Sequence, residues 1–315
     1  MTTLPAWTYE LVAAPAAFVL AFLHARRALG NGRAAIELLA LALYGYVVER
    51  VAIAVFASHA YGGGWRLAPG AVPVAVASCW AAVIVSAMAL AARLGPSSRI
   101  GRAGAAAAFG LTLDLMMEPV AVRAGLWTWT PPGPWLGVPV GNFVGWAVIV
   151  GAYAWGADRW SDGAKSALAA RRAALGAACV VGLLLVGAVW TRMGAERAFA
   201  SGRGWIAWAG VLVLASGLAR RPRATPEAAS GLADRLASAK GAAPAATLLV
   251  VAAPFAVDAL LMGDSALAVA VLGSLLVLIG LGVSARARPS PRAQVGDCLK
   301  IGPSEIQREG SRTTR

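Results

Sequence analysis

The chain has 315 residues, of which 59% are hydrophobic and 14% charged, and its mean hydropathy is +0.67. A soluble domain carries roughly 25% charged residues, so this composition excludes an ordinary soluble fold. The net charge of +13 does not point to nucleic acid, because the Lys and Arg residues lie between apolar blocks, where they set membrane topology.

The apolar blocks are about 18–22 residues long, the length that crosses a bilayer as a helix. In chain order they predict spans near 5–24, 34–57, 71–92, 103–122, 137–157, 173–191, 204–219, 245–262 and 265–284. The seventh is the shortest. The fold class is therefore all-α: a polytopic transmembrane helix bundle of about 8–9 spans in the cell membrane, since open sheets cannot satisfy their backbone in lipid. The first ten residues lack Lys and Arg and contain Glu10, a poor start for a signal peptide, so the first block reads as a retained helix.

Basic residues follow alternate spans. Arg26, Arg27 and Arg33 follow the first, Arg93, Arg99 and Arg102 the third, Arg159, Lys165, Arg171 and Arg172 the fifth, and Arg220, Arg221, Arg223, Arg235 and Lys240 the seventh. The other side holds Arg66, Arg123, Arg192, Arg197 and Arg203. The positive-inside rule then puts the N-terminus outside and the C-terminus in the cytoplasm. Residues 1–284 form the membrane domain, with 219–244 as a polar cytoplasmic connection holding one short surface helix. The basic tail 285–315 is expected to be disordered.

Three cysteines, Cys79, Cys179 and Cys298, stand apart without a CxxC, and there are two histidines, His24 and His59. This supply fits neither a zinc site nor a disulfide framework, so no metal site is expected.

Two stretches match. "ERVAIAVFASHAYGGGWRLAPGAVPVAVASCW" begins at Glu49, and "EPVAVRAGLWTWTPPGPWLGVPVGNFVGW" at Glu118. Each passes from a glutamate near a span's end through a Gly- and aromatic-rich loop to Val-Pro. Each places a tryptophan seven residues beyond that proline, at Trp80 after Pro73 and at Trp146 after Pro139. Both units begin on an even-numbered span. They are expected to be parallel repeats, over about 34–92 and 103–157, related by an axis along the membrane normal.

Asp114 and Glu118 are four residues apart and share one helix face. Pro119 is expected to kink or end that helix and free the carbonyl of Leu115. Glu49, Glu10 and Asp258 lie at similar depth, whereas Glu37 is expected near the cytoplasmic edge as a snorkelling residue. A charge at mid-membrane costs roughly 2.5–3.5 kcal/mol, so one carboxyl of a close pair is expected to hold a proton. That is acid–base equipment in an apolar pocket. The plain structural alternative is an ion pair with Arg50 or Arg123. Trp127, Trp129 and Trp135 fit an interfacial aromatic belt or a cover over the acids. Trp80 and Trp146, inside their spans, are better placed to line a pocket, with Asn142 to hold a water or the freed carbonyl.

The ordered set Asp114, Glu118, Pro119, Ala121, Gly125, Trp127, Trp129, Gly137, Pro139, Asn142, Phe143, Gly145 and Trp146 resembles the signature of the integral-membrane carotenoid biosynthesis family. That family includes hydratases of carotenoid ends of the bisanhydrobacterioruberin hydratase type. Glu49, Tyr61, Pro73 and Trp80 resemble its upstream block, and beyond about residue 160 no motif is seen. The resemblance implies a cofactor-independent hydratase adding water to the terminal C=C of a ψ-end carotenoid dissolved in the bilayer. It implies Asp114, Glu118 and Glu49 as catalytic acids and base. Trp80, Trp127, Trp129, Asn142, Phe143, Trp146 and Tyr61 would bind substrate, and other carotenoid enzymes are candidate contacts. An end-group cyclase and a proton-coupled transporter are the competing readings. A prenyltransferase is disfavoured by the lack of a DDxxD-type motif.

Overall fold

The computed structural model describes residues 3–160, 203–220, 231–239 and 243–287. The expected span 173–191, most of the tail and much of the 219–244 connection lie outside these residues. The helices are α1 (Ala6–Leu29), α2 (Asn31–Phe56), α3 (Val74–Leu94), α4 (Arg99–Arg123), α5 (Val140–Trp160), α6 (Arg203–Arg220), α7 (Leu232–Ser238), α8 (Ala243–Met262) and α9 (Ser265–Ala287). Among the described residues seven of them, all but α6 and α7, are long and apolar enough to cross a membrane, and α6 contributes a shorter apolar stretch, Gly204–Leu218. The chain is an all-α polytopic membrane protein.

Burial sorts the helices into a centre and a rim. The apolar windows of α3 and α4 are 78% and 89% buried, against 28% for α2 and 33% for α9. α2 turns Ile36, Leu39, Leu43 and Val47 outward, where lipid and not water is the expected neighbour. The central helices are rich in small residues, including Ala81, Ala82 and Ala105 to Ala108. Small side chains let backbones approach, which is how helices gain packing energy in lipid. At Gly110 an added Cβ would sit 3.3 Å from Val150 of α5.

Prolines mark the local breaks. Within α1, residues Tyr9–Ala13 form a π-turn just before Pro15. The wider turn accommodates a ring that clashes with the carbonyl four residues back. Pro73 caps α3, and Pro139 immediately precedes α5, so both Val-Pro pairs open helices as the sequence predicts. Pro119 does not end its helix: α4 continues through it to Arg123.

The loops after α2 and α4 meet. β1 (His59–Tyr61) and β2 (Trp127–Trp129) pair antiparallel, with His59 opposite Trp129, Ala60 opposite Thr128 and Tyr61 opposite Trp127. The pairing continues through Gly62 N–H, which donates to the Leu126 carbonyl at 2.8 Å. An antiparallel pair centred on Ala60 and Thr128 has local two-fold symmetry. That symmetry exchanges His59 with Trp127, and Tyr61 with Trp129.

The opposite end is held by arginines. Arg93 donates to the carbonyls of Ala237 and Ala239, at 3.1 and 2.8 Å, and to Ala285 at 3.4 Å. Arg102 bonds Asp158 at 2.9 Å and lies 3.7 Å from Asp234. These contacts draw α7 into the bundle, where Leu232, Leu236 and Asp234 are buried. The short helix expected on the surface is therefore a buried plug. Glu37 likewise departs from its expected snorkelling position: it is 2% exposed, 4.0 Å from Arg33.

Candidate active site

At the β1–β2 end, a cavity of about 950 Å³ opens among α1 to α5 and α8. Glu49 from α2 and Glu118 from α4 both line it, together with His59, Tyr61, Trp80, Trp127, Trp129, Asn142 and Trp146. Most of the wall is apolar, from residues such as Val48, Val83, Met117, Ile149 and Phe255. Thr130, Pro131, Pro132 and Pro134 line it too and are exposed, forming its rim.

Each glutamate is held by ring donors from the loops. Glu118 Oε2 accepts the indole N–H of Trp127 at 2.8 Å and of Trp129 at 3.1 Å. Glu49 Oε1 accepts the indole N–H of Trp80 at 2.8 Å, and Oε2 lies 3.0 Å from His59 Nε2. The Tyr61 hydroxyl also bonds Glu49. Thus the strand residues exchanged by the local two-fold hold the two glutamates: His59 and Tyr61 on Glu49, Trp127 and Trp129 on Glu118. Trp80 and Trp146 stack between the units, centroids 4.0 Å apart and planes at 28°. The stack is close because α2 has Gly45 beneath it: an added Cβ there would meet Trp80 Cβ at 2.5 Å.

The remaining sequence-predicted residues are placed as follows. Asp114, 0% exposed, lies behind Glu118 and not on the cavity wall. Its Oδ2 accepts from Asn142 Nδ2 at 3.2 Å, while its Oδ1 is buried with no hydrogen-bond partner among the described residues. Asn142 is thus spent on Asp114, not on the Leu115 carbonyl. Phe143 packs with the Trp135 and Val138 cluster and does not line the cavity.

The arginines offered as ion-pair partners are engaged elsewhere. Arg50 donates to the Gly70 carbonyl, and Arg123 pairs with Asp264 at 3.1 Å. Glu10 and Asp258 have structural uses. Glu10 accepts the backbone N–H of Arg66 and Leu67 at 2.9 and 2.7 Å. Asp258 accepts the Leu4 N–H at 2.6 Å and the Tyr9 hydroxyl. Tyr9 and Phe255 reach the cavity from that corner.

His59 is the site residue that sequence reasoning missed. It lies ten residues after Glu49, whereas Trp127 lies nine after Glu118, so the match between His59 and Trp127 shows only in the strand pairing. Burial disfavours its charged form, but the hydrogen bond and charge of Glu49, with Glu118 nearby, outweigh this and hold His59 above its ordinary 6.5. Burial raises the Tyr61 hydroxyl well above its usual range, and both glutamates add to the effect. Tyr61 is therefore a neutral donor. No cluster of His, Cys, Asp and Glu suited to a metal occurs among the described residues.

A bundle of membrane-length helices around two carboxyls and a wall of indoles defines a polytopic membrane protein with a carboxyl-bearing, indole-walled cavity. The chain matches the carotenoid biosynthesis protein family over residues 6–201, more than half its length, and belongs to that family. No curated protein and no solved structure matches it.

Proposed function

We propose that this protein adds water across the terminal C=C of a ψ-end carotenoid, leaving a tertiary alcohol. The supporting observation is that Glu49 and Glu118 face one apolar, indole-walled cavity in a chain of the carotenoid biosynthesis family. The alkene is dissolved in the membrane, so the acids must be there too.

In the proposed reaction, Glu118 delivers a proton to the CH carbon of the terminal (CH₃)₂C=CH unit. The π pair forms the new C–H bond and leaves a tertiary cation. Asp114, buried behind Glu118 with no cation partner among the described residues, stores a proton at lower cost than a charge, so the pair shares the donor role. The parts of the Trp80 and Trp146 indoles that line the cavity, and not the faces stacked on each other, favour the cation, by about 2 kcal/mol when desolvated. Glu49 aims a water whose lone pair forms the C–O bond, and the water's extra proton passes to Glu49. Atoms and charge then balance without a cofactor.

The test is to incubate membranes with a ψ-ended carotenoid in H₂¹⁸O. Hydration gives a product heavier by one labelled water, and Glu118→Gln or Glu49→Gln inserts normally but forms none. A ring-closed product of unchanged mass would replace this reading with end-group cyclisation. No conversion of any ψ-ended substrate would leave the carboxyls to proton-coupled transport.

A further inference from the structure

The two glutamates share one cavity but have unlike partners. Trp127 and Trp129 give Glu118 indole N–H donors, and an indole N–H orients an acceptor without giving up its proton. The position that matches Trp127 holds His59, and an imidazole both donates and takes protons near neutral pH. Its two nitrogens are both engaged: Nε2 lies 3.0 Å from Glu49 Oε2, and Nδ1 lies 3.1 Å from Ser58 Oγ. The His59 side chain is 5% exposed, while Ser58 is half-buried and its neighbour Ala57 is exposed. A chain of polar atoms therefore runs along the cavity wall from Glu49 through His59 to Ser58, whose carbonyl accepts the N–H of the exposed rim residue Thr130 at 2.8 Å.

We infer that His59 is the proton-relaying partner of Glu49: it takes, through that carboxylate, the proton lost by the attacking water and passes it along the cavity wall to Ser58 and the rim. This inference rests on the hydration reading above. His59 acts through Glu49, so it is a positioning and relay residue and not one that touches the alkene. The division of labour follows from the partners. The carboxyl on the indole side gives its proton to carbon, and the carboxyl on the imidazole side collects one from oxygen.

The relay has a pH signature. The groups facing His59 are Glu49 from α2, Glu118 from α4 and Tyr61 from its own strand, with the Trp129 ring 4.9 Å away. The carboxylates hold its proton more tightly, so His59 titrates above 6.5. The relay needs the neutral ring. Turnover should therefore fall as pH drops through that raised value.

The experiment measures kcat and KM against pH for labelled hydration by wild type, His59→Gln and Ser58→Ala. Glutamine can still donate to Glu49 but cannot titrate. The expected kcat loss for His59→Gln is about 10²–10⁴-fold, with KM for the polyene little changed and the acidic limb gone. Ser58→Ala keeps the limb but lowers kcat. A His59→Gln protein within about threefold of wild type (about 0.7 kcal/mol), or one retaining the acidic limb, overturns the relay while leaving hydration intact. A wild-type profile with no acidic limb above pH 6.5 overturns it without any variant. Wild type that makes no labelled alcohol brings down the hydration reading and the relay together, a result distinct from either of these.

Discussion

Trp127→Phe removes the shorter of the two hydrogen bonds on Glu118 Oε2, 2.8 Å against 3.1 Å from Trp129, and keeps an aromatic ring in place. A hydrogen bond to a charged group contributes about 1.5–3 kcal/mol in soluble proteins, but hydrogen bonds between membrane helices average nearer 0.6 kcal/mol. Trp127 comes from strand β2 and not from a membrane helix, so the interhelical average does not apply, and with Glu118 charged and the pair's shared proton resting on Asp114, about 1.5 kcal/mol is expected for the bond. The smaller ring leaves a gap that costs about 1 kcal/mol more. A double-mutant cycle with Glu118→Gln separates the two, because a neutral amide oxygen accepts a bond roughly half as strong. Reversible unfolding of the four proteins in mixed micelles, followed by circular dichroism, should give a coupling of about 1 kcal/mol. Additivity within about 0.3–0.5 kcal/mol would show that the indole does not hold this carboxylate, and the site argument would fail with it.

Gly45→Ala should force Trp80 off its stack with Trp146, since the new Cβ would lie 2.5 Å from Trp80 Cβ. It is expected to cost about 1–3 kcal/mol in stability, and unchanged unfolding would show that the stack is loosely seated. Arg102→Ala removes the cation that buried Asp158 bonds at 2.9 Å and should destabilise by about 3–5 kcal/mol. The Arg102→Ala, Asp158→Ala double variant should lose less than the sum. Cysteines introduced into 124–136, in a background with Cys79, Cys179 and Cys298 all replaced by Ser, should react with an impermeant reagent from outside the cell, and those at 160–170 should not. The reverse pattern refutes the proposed orientation.

The apolar blocks made the spans legible because length and hydropathy decide what crosses lipid, and α2 to α5 follow the expected ranges closely. The ends are less legible. α1 runs to Leu29 and not 24, and α4 passes Pro119, because tertiary packing overrides a local break once a helix is 89% buried. Glu49, Glu118, Trp80, Trp127, Trp129 and Trp146 were visible as a spaced pattern and converge on one cavity. His59 was not, because its meaning depends on two three-residue strands meeting across the loops, and strands so short leave no periodic trace. The burial of α7 was equally hidden: Arg93 and Arg102, far back in the sequence, reach the backbone and acids of a segment that by itself reads as polar.

The placing of both glutamates on a single chamber limits occupancy. Under the proposed hydration, one polyene tip would occupy this cavity, walled by Trp80 and Trp146 and edged by the exposed prolines, so one chain would engage one tip at a time. A symmetrical polyene with two reactive tips must then leave, reverse and return before its second tip reacts. Early in the reaction the half-converted molecule should accumulate ahead of the fully converted one. The ratio of the two would be set by how fast the polyene exits past Pro131 and Pro132, not by the chemistry at the glutamates.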